Sequence, residues 1–251
     1  MATYKKKGFK KEQKQAIEEN STTAEVFNTL DESASRSEQW IEKNSKPLFY
    51  SLVAVVIIVL GVLGYNKYIA EPTEVNASNE LAFPRKYFNQ AKTAGSADVD
   101  SLLTLGLEGA EGKYGFLDIA SSYGGTKAGN LAHYYAGVSY LQLKDYQNAI
   151  DHLEKFDSDD LAISSISLGA IGDAFADIEQ YDDAIEYYEK AAKKENNFTT
   201  PLFLFKAGQL AMVQKDYSKA ETLFTKIKDN YISSDQGRDI DKYINSAKYA
   251  E

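Results

Sequence analysis

Cysteine is absent from the 251 residues. That excludes a disulfide framework, a thiolate metal site, a cysteine nucleophile and an anchor made by lipid on cysteine. It is compatible with either an oxidising or a reducing compartment. Histidine is almost as scarce: His133 and His152 are the only two, 19 residues apart. Neither a His-x-x-x-His spacing nor a Ser/His/Asp ordering accompanies them, so zinc ligation and a catalytic triad lack their usual carriers. A phosphate loop is missing too. In the run GLEGAEGKYG (106–115), five residues separate Gly106 from Gly112 where the motif needs four, and Tyr114 follows the lysine where Ser or Thr must reach Mg²⁺. This run is expected to be a flexible link between helices. No cofactor and no metal is expected, and an enzyme is the least supported class.

Basic charge is short over most of the chain. The net charge is −9, and residues 1–46 hold nine Lys/Arg against eight Asp/Glu, leaving 19 against 29 for the rest. An acidic main body suits nucleic acid poorly, because phosphate binding needs a basic face. Hydrophobic residues make up 43% and charged residues 26%, an ordinary globular mix that argues against wholesale disorder. Carboxylates such as Asp182, Asp183 and Glu186 follow helical surface rhythm and read as a solvated face.

What is present begins with an apolar run. Residues 48–64 read LFYSLVAVVIIVLGVLG, 17 residues without a charge. Extended through Tyr65 and Tyr68, the run covers roughly 30 Å as a helix at ~1.5 Å per residue. A core helix rarely stays apolar on all faces for so long. A cleavable signal is disfavoured because the run starts 47 residues in, with no small-x-small site after it. Trp40, Tyr65 and Tyr68 suit the headgroup level, and Lys43, Lys46 and Lys67 bracket the hydrocarbon zone. Residues 47–68 are therefore expected to span a membrane. The run YKKKGFKKEQK holds six lysines and favours a cytoplasmic amino-terminal side by the positive-inside rule, with residues beyond the span outside the cytoplasm. Residues 1–22 are polar and expected to be disordered. Their lysines read as a topology signal leaning on anionic membrane lipid, or alternatively as a contact with ribosomal RNA or a translocation factor.

The second feature is a repeat. GVSYLQLKDYQNAIDHLEKF from Gly137, GDAFADIEQYDDAIEYYEKA from Gly172 and GQLAMVQKDYSKAETLFTKI from Gly208 align at spacings of 35 and 36 residues. Tyr146, Tyr181 and Tyr217 keep that spacing, as do Ala149, Ala184 and Ala220. A fixed period of this size marks a solenoid. The glycine is expected where a neighbouring helix comes close. The tyrosine should cover the hairpin end, and the alanine should let two helices approach. Leu153, Tyr188 and Phe224 follow at i+4 on the alanine face. His133 falls at a position that packs between helices and is expected in the core. Residues 78–93 and 99–107 look helical, with Pro84 expected to start or bend a helix, and residues 117–123 are expected to complete a degenerate repeat. A cap helix is expected within 236–251.

These offsets resemble the tetratricopeptide (TPR) family. The fold expected is all-α: a cytoplasmic tail (1–46), a transmembrane helix (47–68), a linker (69–77) and a periplasmic solenoid (78–251). Its clearest repeats are 130–161, 165–198 and 201–234. The resemblance implies an inner groove lined by first-helix positions. Carried onto this chain, these are Leu131, Tyr134, Val138 and Leu141 in the first repeat. Ile166, Asp173, Ala176 and Asp177 follow in the second, and Leu202, Phe205, Gln209, Met212 and Val213 in the third. None is basic, so the groove should not clamp a free carboxylate. It would take an amphipathic segment of a partner, or be filled by the chain's own amino-terminal helices. The layout of tail, span and solenoid, with the block KYGFLDIASSYGGTKAGNLAHYYAG (113–137), resembles the YfgM-like ancillary subunit of the bacterial Sec translocon, in versions from Bacteroidetes-type bacteria. That resemblance implies two partners: Sec translocon subunits and a membrane-anchored periplasmic chaperone of the prolyl-isomerase type. The competing expectation is an envelope scaffold for cell division or outer-membrane biogenesis.

Overall fold

The structure, a computed structural model, describes residues 22–250. Among them helices are the only extended elements, as the all-α reading requires. The lysine-rich run and the disorder expected for residues 1–22 lie outside the described residues, Thr22 excepted. The chain divides into two compact units, residues 1–66 and 67–251.

The first unit is built on α1, Thr22–Tyr65. This stretch is long and apolar enough to cross a membrane, with a mean hydropathy of 2.5 in its most apolar window and none of that window buried. Leu52, Ile57, Ile58 and Leu60 are all more than 60% exposed. A helix that is apolar on every open face satisfies its backbone internally and finds no protein partner for its side chains, as a lipid-facing helix does.

In the second unit the helices are α2 (Glu71–Ala91), α3 (Ser96–Glu108), α4 (Phe116–Ser122), α5 (Lys127–Gln142), α6 (Tyr146–Leu153), α7 (Leu161–Asp177), α8 (Tyr181–Ala192), α9 (Thr199–Val213), α10 (Tyr217–Asn230) and α11 (Ile240–Lys248). Residues 69–77, read above as a linker, are helical: a π turn, Asn66–Ala70, leads into α2. Pro72 stands in the first turn of α2, directly after the π turn. Pro84 departs from expectation, since it lies inside α2 with its ring buried. Tertiary packing overrides its poor helix propensity, because α3 presses against it: a β-carbon on Gly106 would stand 3.4 Å from the Pro84 carbonyl oxygen.

The repeats form the hairpins α5/α6, α7/α8 and α9/α10. In each, the glycine meets a large side chain 16 residues on. A β-carbon added to Gly137, Gly172 or Gly208 would approach Leu153, Tyr188 or Phe224 to 2.5, 2.7 or 2.5 Å. Ala149, Ala184 and Ala220 are 0% exposed. The hairpin turns repeat as faithfully. Lys144, Glu179 and Lys215 adopt φ of 61°, 62° and 64°. The next N–H closes each helix end, with Asp145, Gln180 and Asp216 donating to the carbonyls of Tyr140, Phe175 and Ala211 at 2.9, 2.9 and 2.8 Å. This is the Schellman arrangement, usually made with glycine and here made by charged residues under steric strain. Asp145 and Asp216 then cap α6 and α10 by accepting from Asn148 and Lys219 N–H, whereas Gln180 makes no such bond to α8.

The run 106–115 is not a flexible link. Ala110 and Lys113 pair as an isolated antiparallel bridge, and Glu111 and Gly112 both have positive φ, the form of a tight hairpin turn. A β-carbon on Gly109 would stand 2.3 Å from the Lys113 oxygen, so backbone alone fills the site. At the far end α11 lays Ile240 and Ala247 on the core and leaves Asp241, Lys242, Asn245, Ser246 and Lys248 exposed, a wet outer face.

Two substitutions check this packing. Ala184→Trp should overpack the α7/α8 contact and destabilise the protein by roughly 1–3 kcal/mol in a denaturant titration. Glu179→Gly should relieve the strained turn and stabilise by about 0.5–1 kcal/mol, because lost strain outweighs the added freedom of the unfolded chain.

Candidate partner groove

The first-helix positions differ in what covers them. In α5, Leu131 and Val138 pack against the core formed with α2, α3 and α4. Tyr134 and Leu141 lean on the core of α6, α7 and α8, and the Tyr134 ring lies 5.1 Å from that of Phe156. The chain's own helices therefore occupy the first third of the strip. In α9, Leu202, Phe205 and Met212 are half-buried against the last core. Phe205 meets Tyr243 of α11 edge-on at 4.7 Å, so the cap takes the contact that a further repeat would make.

The middle stays open. Ile166 is 39% and Val213 60% exposed, Asp177 and Gln209 are exposed, and Ala176 is half-buried. Asp173 is the hub. Its carboxylate accepts from the Tyr188 hydroxyl at 2.5 Å and from Lys206 Nζ at 2.6 and 2.9 Å. Burial first, and then the bond to Asp173, raises the Tyr188 hydroxyl far above the ordinary phenol range, so it stays a donor. Lys206 is the cation that the groove positions lack. It follows Phe205, one residue out of register, and its long side chain reaches back over the Tyr188 ring at 5.6 Å. With Asp173 paired, the remaining carboxylate of the open strip is that of Asp177; burial first, and then the charge of Asp177 and a hydrogen bond to it, raise the phenol of Tyr146.

The two histidines come together. His133 Nδ1 and His152 Nδ1 stand 3.1 Å apart in a cleft of about 410 Å³ that also touches Leu117, Ala120, Ser121 and Lys155. The repeat register was the signal that could have paired them: the same slot holds Leu168 with Tyr187, and Leu204 with Leu223. The pair thus replaces an apolar contact between helices. Burial, then the neighbouring ring and Lys155, lowers His152 to about 4, and burial also lowers His133. Among the described residues no group of three or more His, Asp or Glu is placed to hold a metal.

Sequence profiles of the tetratricopeptide repeat match residues 170–235 and 131–159, the hairpins whose glycines, alanines and turns superimpose in register. No curated protein matches the chain. TPR repeats are thus present, and such repeats suggest a protein–protein interaction scaffold.

Both histidines titrate lower folded than unfolded, so the unfolded chain binds more protons between the ordinary value of 6.5 and about 4. Their contribution to stability is whole above that window and is lost as pH falls through it. Melting temperature should decline more steeply from pH 7 to 4 in the native chain than in His133→Leu/His152→Leu, which copies the Leu204–Leu223 slot.

Proposed function

We propose that this chain is a membrane-anchored TPR scaffold of the bacterial inner membrane, amino terminus cytoplasmic and repeats periplasmic. It associates with the Sec translocon and holds a membrane-anchored chaperone of the prolyl-isomerase type close to the pore. The observation that carries the reading is the open strip between α7 and α9. It offers exposed aliphatic side chains toward its two ends, Ile166 and Val213, the carboxylate of Asp177 at the end of α7, and no catalytic grouping among the described residues. Such a strip suits the basic amphipathic segment of a partner protein. The apolar helix supplies the anchor, and the lysine-rich tail sets its direction. The resemblance of the whole layout to the YfgM-like family supplies the identity of the partners.

Topology is tested at Ser78, which is exposed on α2. Ser78→Cys should react with a membrane-impermeant thiol reagent in intact spheroplasts, and reaction only after lysis overturns the periplasmic placement. Partnership is tested by purification in mild detergent. Ile166→Asp/Val213→Asp should stay folded, keep the pore subunits through the span, and lose the chaperone. Recovery of division or outer-membrane assembly proteins with the native chain, and no translocon subunit, overturns the proposal in favour of another envelope scaffold.

A further inference from the structure

The first helices α5, α7 and α9 begin along one edge of the second unit, and hydrogen bonds string their starts together. Glu74, in the first turn of α2, accepts from the N–H groups of Lys127 at 2.7 Å and Ala128 at 3.1 Å, where α5 begins. In the same turn of α5, the Asn130 amide donates to the Asp157 carbonyl at 2.6 Å and accepts from the Asp157 N–H at 3.0 Å, four residues before α7. Ser165 donates to the Ala191 carbonyl at 2.9 Å, and Thr200 to the Ala192 carbonyl at 3.1 Å. The first turns of α7 and α9 therefore flank the end of α8.

This edge is apolar where it is most exposed. Phe198 is 77%, Leu161 54% and Ile163 40% exposed. It is also nearly neutral. Segments 127–130, 155–160 and 193–198 carry Lys127, Lys155, Lys193 and Lys194. Against them stand Asp157, Asp159, Asp160 and Glu195, and Glu74 besides, so the sum is −1. Beyond residue 46, by contrast, Asp/Glu outnumber Lys/Arg by 29 to 19. The edge is a nearly neutral, greasy strip on an acidic body.

Chain connectivity says what lies beside it. Glu74 comes six residues after Tyr68, the last aromatic of the expected span. Six helical residues cover about 9 Å. The hydrogen-bonded edge thus starts about one headgroup layer from the point where the chain leaves the bilayer.

We propose that this edge rests on the lipid surface, with Phe198, Leu161 and Ile163 entering the interface between headgroups and acyl chains. The proposal rests on the reading of residues 47–68 as a membrane span. Apolar side chains at that level bury area without crossing the bilayer. An edge with no net positive charge does not demand anionic lipid, so a zwitterionic surface suffices. Carboxylates elsewhere on the unit stay in water. Docking on this side leaves the far ends of α7 and α9, with Asp177 and Val213, facing away from the membrane.

The test uses the full-length chain with Trp40→Phe as background, reconstituted into phosphatidylcholine liposomes brominated either near the glycerol or deep in the acyl chains. Tryptophan is placed singly by Leu60→Trp in the span, Phe198→Trp on the edge, and Val213→Trp at the opposite end of α9. Deep bromines should quench Leu60→Trp. Shallow bromines should quench Phe198→Trp several-fold more strongly than Val213→Trp. Equal, weak quenching of Phe198→Trp and Val213→Trp, with Leu60→Trp quenched, overturns the docking while leaving the span intact. An unquenched Leu60→Trp overturns the span and the docking with it. A blue shift of Phe198→Trp that grows with protein concentration and ignores bromine assigns the edge to a second copy of the chain, and likewise overturns the proposal.

Discussion

Each repeat closes on a glycine that leaves no room for a β-carbon. Leu153, Tyr188 and Phe224 lie so close to Gly137, Gly172 and Gly208 that any side chain there would force the hairpin apart. This contact sets the separation within each pair, and the fully buried Ala149, Ala184 and Ala220 keep it tight on the facing helix. The strained turns at Lys144, Glu179 and Lys215 follow from the same demand: a chain that must reverse within three residues passes through positive φ whether or not glycine is available. The stacking of hairpins, the slot of the histidine pair and the open strip on the first helices all inherit their geometry from that spacing.

The sequence disclosed what recurs. A period carried by Gly, Ala and Tyr at fixed offsets reports a contact made three times, so hairpins α5/α6, α7/α8 and α9/α10 could be placed from it, and the apolar run could be read from length alone. Unrepeated features were hidden. Pro84 stays within α2 because α3 packs on it, a tertiary effect that local propensity cannot report. The 106–115 turn looked like slack because glycine signals both mobility and close backbone approach, and only the neighbouring carbonyl distinguishes them. Lys206 was missed as a groove cation because a register of Cβ positions ignores how far a long side chain reaches.

The groove shows the same division. Thirteen first-helix positions follow from the repeat rule, but occupancy does not. Leu131, Val138 and Phe205 are used by the chain's own α2–α4 core and by Tyr243. These local arrangements narrow the accessible strip to its middle, where Asp173 is already committed to Tyr188 and Lys206. A partner therefore meets an ordered ion pair flanked by two exposed aliphatic side chains, Ile166 and Val213. Displacing Lys206 from Asp173 would leave a half-buried carboxylate with one hydrogen bond, so recognition that leaves the pair intact is favoured.

Helix α11 also acts as a cover for aromatic rings. Its nine residues hold Tyr243 against Phe205 and Phe224 and place Ile240 on the same core. A chain cut short before residue 240 would present those two rings as one aromatic surface, the kind of patch that proteases and chaperones use to sort unfinished proteins. With α11 folded in place, Tyr243 covers both rings and that surface is concealed.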